Sequence, residues 1–388
     1  MLDIGICGKP NCGKSTFFSA ATMVDVAIAN YPFTTIEANR GVAYVRSVCP
    51  CKEFGKKCNP RNSKCVDGVR LVPLTVIDVA GLVPGAHEGK GLGNKFLDDL
   101  RNASAIIQVV DASGKTDLEG KPAEGQKPEK EVEMLEEEVA RWMAGIIMRG
   151  VGLRKKLDAE QMAVQMSGLG MTREHVIAAC NKLGRTHDTI AFEKEEEVLE
   201  FARALRQAAK PILVAANKID IGGAEANCEQ LEGKLGKERV VRCFADGELA
   251  LRKAEKAGLV KYVPGAESFE ILRGEQRQKD ALGRIGEVVR RNNGTGVQQA
   301  LDRAAFGLLG LIVVYPVEDA TKLSDAKGNV LPDAILLKSG STPLDLARAV
   351  HTELAEKFIC AIDVRKGMKV GKEHVLKDGD VLRIVTNR

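Results

Sequence analysis

The chain has 388 residues, 44% of them hydrophobic and 28% charged, with a net charge of +4 from 57 basic and 53 acidic side chains. That balance excludes wholesale disorder and gives no charge-based argument for nucleic acid. Ten cysteines are too sparse for a disulfide scaffold, and the longest apolar run, 304–315, is too short to span a membrane. The first residues read as a strand with no basic flank, so a cytoplasmic protein of two or three domains is expected, with nothing demanding more than a monomer.

Short apolar runs at 2–7, 41–45, 71–78, 105–111, 212–217 and 239–244 alternate with glycine turns and helical patterns. This is the pattern of an α/β fold with a mostly parallel sheet and helices on both faces. After the first run, Gly8-Lys9-Pro10-Asn11-Cys12-Gly13-Lys14-Ser15 fits G-x-x-x-x-G-K-[ST] between a strand and a helical stretch. In such a loop the backbone surrounds phosphate oxygens, Lys14 reaches the β and γ phosphates as the catalytic cation, and Ser15 binds Mg²⁺ beside Thr16. Asp78-Val79-Ala80-Gly81 ends a later strand as a D-x-x-G element, with Asp78 holding Mg²⁺ through water and the Gly81 N–H facing the γ phosphate.

Between these runs, Cys49, Cys51, Cys58 and Cys65 are spaced C-x-C-x6-C-x6-C among lysines and arginines. Four thiolates can hold zinc, but zinc knuckles favour C-x2-C pairs, so free or redox-sensitive thiols are the preferred expectation. Cys12, inside the phosphate loop, raises a further expectation that its oxidation blocks nucleotide binding.

Residues 113–209 read as a helical insertion. Val132, Leu135, Val139, Trp142 and Ile146 repeat at spacings of 3, 4, 3 and 4 like a coiled-coil seam, and further helices are expected at 153–166, 173–183 and 193–209. Asn217-Lys218-Ile219-Asp220 then closes a strand as N-K-x-D, where the Asp220 carboxylate can accept two hydrogen bonds from guanine that adenine cannot match. The S-A-x element expected after the sixth strand reads Phe244-Ala245-Asp246, which retains the Ala245 N–H but lacks the serine. GTP is the expected ligand and GDP the product, with an ATPase of relaxed base choice as the rival. From 312 to 388 a small α+β module is expected, including a helix opened by Ser341-Thr342-Pro343 and ending near Phe358. Its last stretch, 365–388, has seven basic and three acidic residues, which suit either a solvated sheet face or RNA.

Asn30-Tyr31-Pro32-Phe33-Thr34-Thr35, Asp78–Leu82, and Gly85-Ala86-His87-Glu88-Gly89-Lys90-Gly91-Leu92-Gly93 with Phe96-Leu97 resemble the Obg superfamily of translation-factor GTPases. The helical insertion and the Gly340-Ser341-Thr342-Pro343 module, which looks like a TGS domain, narrow the resemblance to the YchF (Obg-like ATPase) branch. It implies a P-loop G domain over 1–311, interrupted by 113–209, and a TGS domain over 312–388. It also implies that Thr35 binds Mg²⁺ and senses the γ phosphate, and that Leu82 replaces the water-orienting glutamine of Ras-like proteins. His87 then stands either as the group that orients water or as a plain surface histidine. Asn11 stands either as a K⁺ ligand beside the phosphates or as a loop cap. The implied partner is the ribosome or its RNA. Members of the branch often carry N-x-x-E and accept ATP, so Asp220 separates this chain toward GTP. The rival from another class is an RNA- or ribosome-binding module in which nucleotide is only a conformational ligand.

Overall fold

The computed structural model describes residues 2–23, 39–81, 84–88 and 93–387. Along the chain come β1 (Asp3–Cys7), α1 (Lys14–Thr22), β2 (Arg40–Val48), β3 (Lys64–Val66), β4 (Val69–Asp78), α2 (Gly93–Asn102) and β5 (Ala103–Asp111). Four helices follow: α3 (Glu129–Gly150), α4 (Ala159–Gln165), α5 (Arg173–Lys182) and α6 (Glu195–Ala209). The α/β alternation resumes with β6 (Ile212–Asn217), α7 (Ala224–Leu235), β7 (Val240–Cys243) and α8 (Ala245–Lys256). A short pair, β8 (Val260–Lys261) and β9 (Glu270–Ile271), leads to α9 (Gln276–Asn292) and α10 (Val297–Asp302). The remainder is β10 (Leu311–Val317), β11 (Ile335–Lys338), α11 (Pro343–Val350), α12 (Thr352–Glu356), β12 (Phe358–Asp363), β13 (Met368–Val370) and β14 (Val381–Thr386).

Among the described residues the main sheet has seven strands, ordered β2-β4-β1-β5-β6-β7, with β3 paired to β4. Strand β1 runs parallel between β4 and β5, and β6 and β7 continue the parallel array. Every residue of β1 and of β6 is buried. A strand covered on both faces reads as a near-continuous apolar run, here with polar residues only at the ends, Asp3 and Asn217, which is why these runs do not alternate. The register sets Asp78 opposite Ile6, Asp111 opposite Asn217 and Asn217 opposite Cys243. Polar side chains thus end neighbouring strands at one edge of the sheet, where ligands of open parallel sheets bind.

The helical segment packs differently from a coiled coil. The buried stripe of α3 includes Val132, Leu135, Val139, Met143 and Ile147, whereas Trp142 and Ile146 are only half-buried. Spacings of 3, 4, 4 and 4 follow the period of a straight helix, and α3 packs on α6 as an ordinary globular pair. Phe201 and Phe192 are fully buried in the same core with ring centroids 5.3 Å apart. Truncating such a phenylalanine costs about 3–5 kcal/mol. The helix expected from 153 begins only after Asp158, which forms a capping box with Gln161.

The α/β alternation and the C-terminal module fall into two compact units. One holds 2–23, 39–41 and the described part of 75–300; the other holds 42–74 and 301–387. In the second, five strands are ordered β11-β10-β14-β12-β13. Leu346 of α11 packs on Ile312, Val314, Ala361 and Leu382 of that sheet. Thr342 and Asp345 form the capping box of α11 and Pro343 opens its first turn. The expected run to Phe358 breaks at His351, whose extended backbone lets Nδ1 accept the Glu353 N–H at 3.3 Å and cap α12. No helix among the described residues is long and apolar enough to cross a membrane.

Candidate nucleotide site

The loop after β1 turns into α1 at Gly13, whose φ of 94° is natural only to glycine. An added Cβ there would sit 2.2 Å from Asn217 Nδ2, and at Gly8 it would sit 2.4 Å from the Val109 carbonyl oxygen. Backbone meets backbone at Gly8 and the Asn217 side chain at Gly13, too closely in both places for an added Cβ. The first N–H groups of α1 have no intrahelical acceptor, a ready anion site. Lys14 Nζ ion-pairs with Asp78 Oδ1, which brings together two residues read from separate motifs. Gly81 adjoins the same loop: its Cβ position lies 3.9 Å from the Gly8 oxygen and the Pro10 ring. Ser15 is exposed and Thr16 half-buried at the start of α1. Thr35 and Leu82 lie outside the described residues, as do all of Asn30–Thr35 and Gly89–Leu92.

Asn217 is a clamp. Its Nδ2 donates to the Cys12 carbonyl at 3.0 Å, and its Oδ1 accepts the Ala245 N–H at 3.0 Å. It thereby joins the phosphate loop to the first residue of α8. Lys218, at φ 68°, lies over the loop, donating to the Asn11 carbonyl at 2.7 Å and pairing with Asp111 Oδ2 at 2.9 Å. Burial pushes the Asp111 carboxyl up, but Lys218, Ser113 and Thr116 together hold it below the usual carboxylate range. Asp220 is exposed, and partial desolvation followed by neighbouring Asp246 raises its pKa. Phe244 donates its N–H to the Thr295 carbonyl at 2.7 Å, and the buried Glu248 holds Arg252 at 2.5 Å and the Tyr262 hydroxyl at 2.6 Å. This network fixes the start of α8 and with it the Ala245 N–H.

Residues 113–126, between β5 and α3, form a loop over the phosphate loop. Lys9 is buried, donating to the carbonyls of Thr116 and Asp117 at 2.6 and 2.8 Å and pairing with Glu131 at 2.9 Å. Asn11 donates from Nδ2 to the Gly120 carbonyl at 2.9 Å, and Gly120 packs where a Cβ would meet the Pro10 oxygen at 2.6 Å. Cys12 is buried, and burial first of all pushes its thiol up to about 12. A thiol so protected from ionisation is a poor target for oxidation, against the expected redox block.

Residues 3–149 match the family described as 50S ribosome-binding GTPase, 215–319 the G4-motif domain of Obg-like GTPases of the YGR210 type, and 327–386 the TGS domain. The GTP-binding protein MJ1332 of Methanocaldococcus jannaschii is 48% identical over 395 residues, covering 100% of this chain and 99% of its own. A crystal structure of a GTP binding protein from Pyrococcus horikoshii superposes with a TM-score of 0.78 at 38% identity, covering 100% of both chains. The chain belongs to the YchF-like, Obg-related P-loop GTPases. Its relatives include YchF of Bacillus subtilis, a protein named a ribosome-binding ATPase, 28% identical over 420 residues, covering 100% of this chain and 99% of the relative.

In this GTPase His87 sits on a short turn, 86–88, that the insertion helix holds. Glu138 of α3 accepts the Gly85 N–H at 2.7 Å, the His87 N–H at 2.9 Å, and lies 2.6 Å from His87 Nδ1. His87 Nε2 is 3.8 Å from Glu88. Burial pushes the Glu138 carboxyl up, yet these N–H groups and the imidazole hold it below its ordinary value. Glu138, Glu131 and Asp111 escape motif reading because their partners lie far off in sequence. The available signal is that Glu131 and Glu138, seven residues apart, share the buried stripe of an otherwise apolar helix face. Of the basic C-terminal residues, Arg365 pairs with Glu53 at 2.8 Å and Lys366 with Asp363 at 3.2 Å.

Proposed function

We propose that the chain binds GTP in preference to ATP and hydrolyses it to GDP and phosphate as a cytoplasmic, ribosome-associated regulator. The observation that carries this reading is the Asn217 clamp, which ties the phosphate loop at Cys12 to the base-side N–H of Ala245. Phosphates then lie on Gly8–Thr16, with Lys14 exchanging Asp78 for the β and γ phosphates. The base is read by Asp220, with Asn217, Lys218 and Ala245 shaping its pocket. A serine hydroxyl and a carboxylate are hard oxygen donors of the kind Mg²⁺ takes, and both stand at the loop, so Ser15 and Asp78, with Thr35, would hold it. When bound, the ion neutralises charge on the β and γ oxygens.

His87 positions the attacking water in this reading. With Nδ1–H donated to Glu138, the imidazole presents Nε2 as an acceptor, the tautomer a water-orienting group needs. Asn11 keeps its Oδ1 for K⁺ while its Nδ2 is engaged by Gly120. The ribosomal partner, large subunit or its RNA, rests on the printed description of the matching family and on the name of the Bacillus subtilis relative. An ATPase is the second reading, favoured by Phe244 in the place of the expected serine and by that relative's name. Equilibrium affinities for GTP and ATP in matched Mg²⁺ and K⁺ buffers, with turnover on the same sample, test the choice. A GTP preference above about tenfold, roughly 1.4 kcal/mol, is expected, and equal or reversed affinity would establish the ATPase. Turnover absent even with K⁺ and ribosomes would leave only a binding module.

A further inference from the structure

The sulfurs of Cys49, Cys51, Cys58 and Cys65 all lie within 4.8 Å of one another, with Cys49–Cys58 and Cys51–Cys65 each at 3.9 Å. All four are unpaired thiols. Tetrahedral zinc with bonds of about 2.3 Å sets its sulfurs about 3.8 Å apart, so the cluster has the dimensions of one ion. It is too tight to enclose an iron–sulfur cube, whose cysteines lie outside the metal atoms. Beside it Arg70 is fully buried, and its Nε and Nη1 find no hydrogen-bond acceptor among the described residues. Arg70 faces Cys65 across β3 and β4. Zinc on four thiolates carries two net negative charges, and a buried guanidinium with unused donors is the complement such a centre needs.

The loop itself argues for a cross-link. Residues 52–64 are nearly all polar, with Phe54 the one large apolar side chain, so burial cannot order them. Yet they are held in place against the C-terminal module of their own unit. The Arg61 N–H donates to the Pro332 carbonyl at 2.8 Å and its guanidinium pairs with Asp333 at 2.5 Å. Asn59 exchanges backbone and side-chain hydrogen bonds with Val330, and Arg365 lies over the Phe54 ring while pairing with Glu53.

We infer that Cys49, Cys51, Cys58 and Cys65 form a closed structural zinc site that orders the 49–66 loop as the docking surface for residues 325–334 and 365. Four protein ligands leave no open position, so the site is not catalytic. Each thiol gives up its proton to solvent as its sulfur binds, and affinity falls with acid.

The test is metal analysis of the full chain purified without added metal or chelator. One zinc per chain is expected, with the four thiols reacting only after the metal is stripped. Cobalt added to the stripped chain should give the visible ligand-field bands and near-ultraviolet thiolate charge transfer of a tetrahedral tetrathiolate site, a readout that needs no variant to fold. Cys58→Ser should lose more than the roughly 10–100-fold in affinity that outer-shell changes cost, and Cys58→His should regain one zinc per chain. Hydrogen exchange should quicken at 49–66 and 325–334 on stripping, while GTP affinity stays unchanged. Four freely reactive thiols without zinc and without cobalt–thiolate bands would overturn the inference. So would a mass deficit marking disulfides, or iron on the same sulfurs. Zinc present in a chain that binds no GTP would defeat the proposed function and leave this site standing.

Discussion

The phosphate loop and the cysteine loop are both built by backbone that has no apolar core of its own, yet they differ in what draws them together. The phosphate loop is held by its neighbours: Gly8 against Val109, Gly13 against Asn217, and Lys9 under the 113–126 loop. The cysteine loop is gathered on itself, four sulfurs from the 17 positions 49–65 drawn together, with its outer residues tied to 330–333 and 365. A site defined by close backbone approach is intolerant of added atoms. One of the kind inferred for the cysteines, defined by a shared ion, would be intolerant of lost ligands and indifferent to much of the sequence between them.

The largest effects should follow from breaking the first of these. Gly13→Ala places a Cβ on Asn217 in a backbone conformation that alanine resists, and nucleotide binding is expected to be lost. Asn217→Ala leaves the Cys12 carbonyl and the Ala245 N–H unpaired, at about 1–3 kcal/mol for each buried group. GTP affinity should fall by about a hundredfold or more, read by calorimetric titration. Neither substitution should change bound zinc. If Asn217→Ala also released the metal, the contrast between the two regions would fail.

A middle-sized effect should come from Glu138. Replacing it with glutamine keeps one oxygen for Gly85 but presents an amide N–H₂ to the His87 N–H, so the turn is loosened without touching the phosphate loop. Turnover is expected to fall by about ten- to a hundredfold with GTP affinity unchanged, part of the roughly 10²–10⁴-fold that a positioned acid–base group contributes. The sign of its pH dependence follows from the lowered pKa. Glu138 stabilises the fold above the unfolded value of 4.5, and that contribution is lost as pH falls through the depressed folded value. Single-turnover kinetics of Glu138→Gln and His87→Ala, alone and combined, separate the two readings of His87. Equal, non-additive losses fit a positioning pair, and no loss leaves a surface histidine.

How much of this was legible in the sequence follows the same division. The phosphate loop, Asp78 and Asn217 were readable because each motif is contiguous and sits at a strand end, where parallel register aligns them. Glu138, Glu131 and Asp111 were not, nor were the partners of Lys9, because their meaning lies in contacts many residues away. The clustering of the four cysteines is not legible in the C-x-C-x6-C-x6-C spacing, because spacing cannot report that β3 and β4 return Cys65 toward Cys51. The coiled-coil seam failed for a simpler reason: 3.5 and 3.6 residues per turn diverge by the third turn, where Met143 and Ile147 displace Trp142 and Ile146.

The smallest effect, and the most discriminating for the phosphate loop, concerns Glu131. Burial outweighs the attraction of Lys9 and pushes its carboxyl up to about 7. The folded chain therefore holds a proton at Glu131 through a range, about 4.5 to 7, in which the unfolded chain has released it. Linkage then makes this group's contribution decline as pH rises through that window, the opposite sign to Glu138. Glu131→Gln should flatten the decline in thermal stability between pH 5 and about 7 while keeping the Lys9 carbonyl contacts, and GTP affinity should change by no more than a few-fold. An unchanged decline in the variant would mean that Glu131 is a carboxylate in both states throughout that window, and that its charge helps hold Lys9 beside the Thr116 and Asp117 carbonyls.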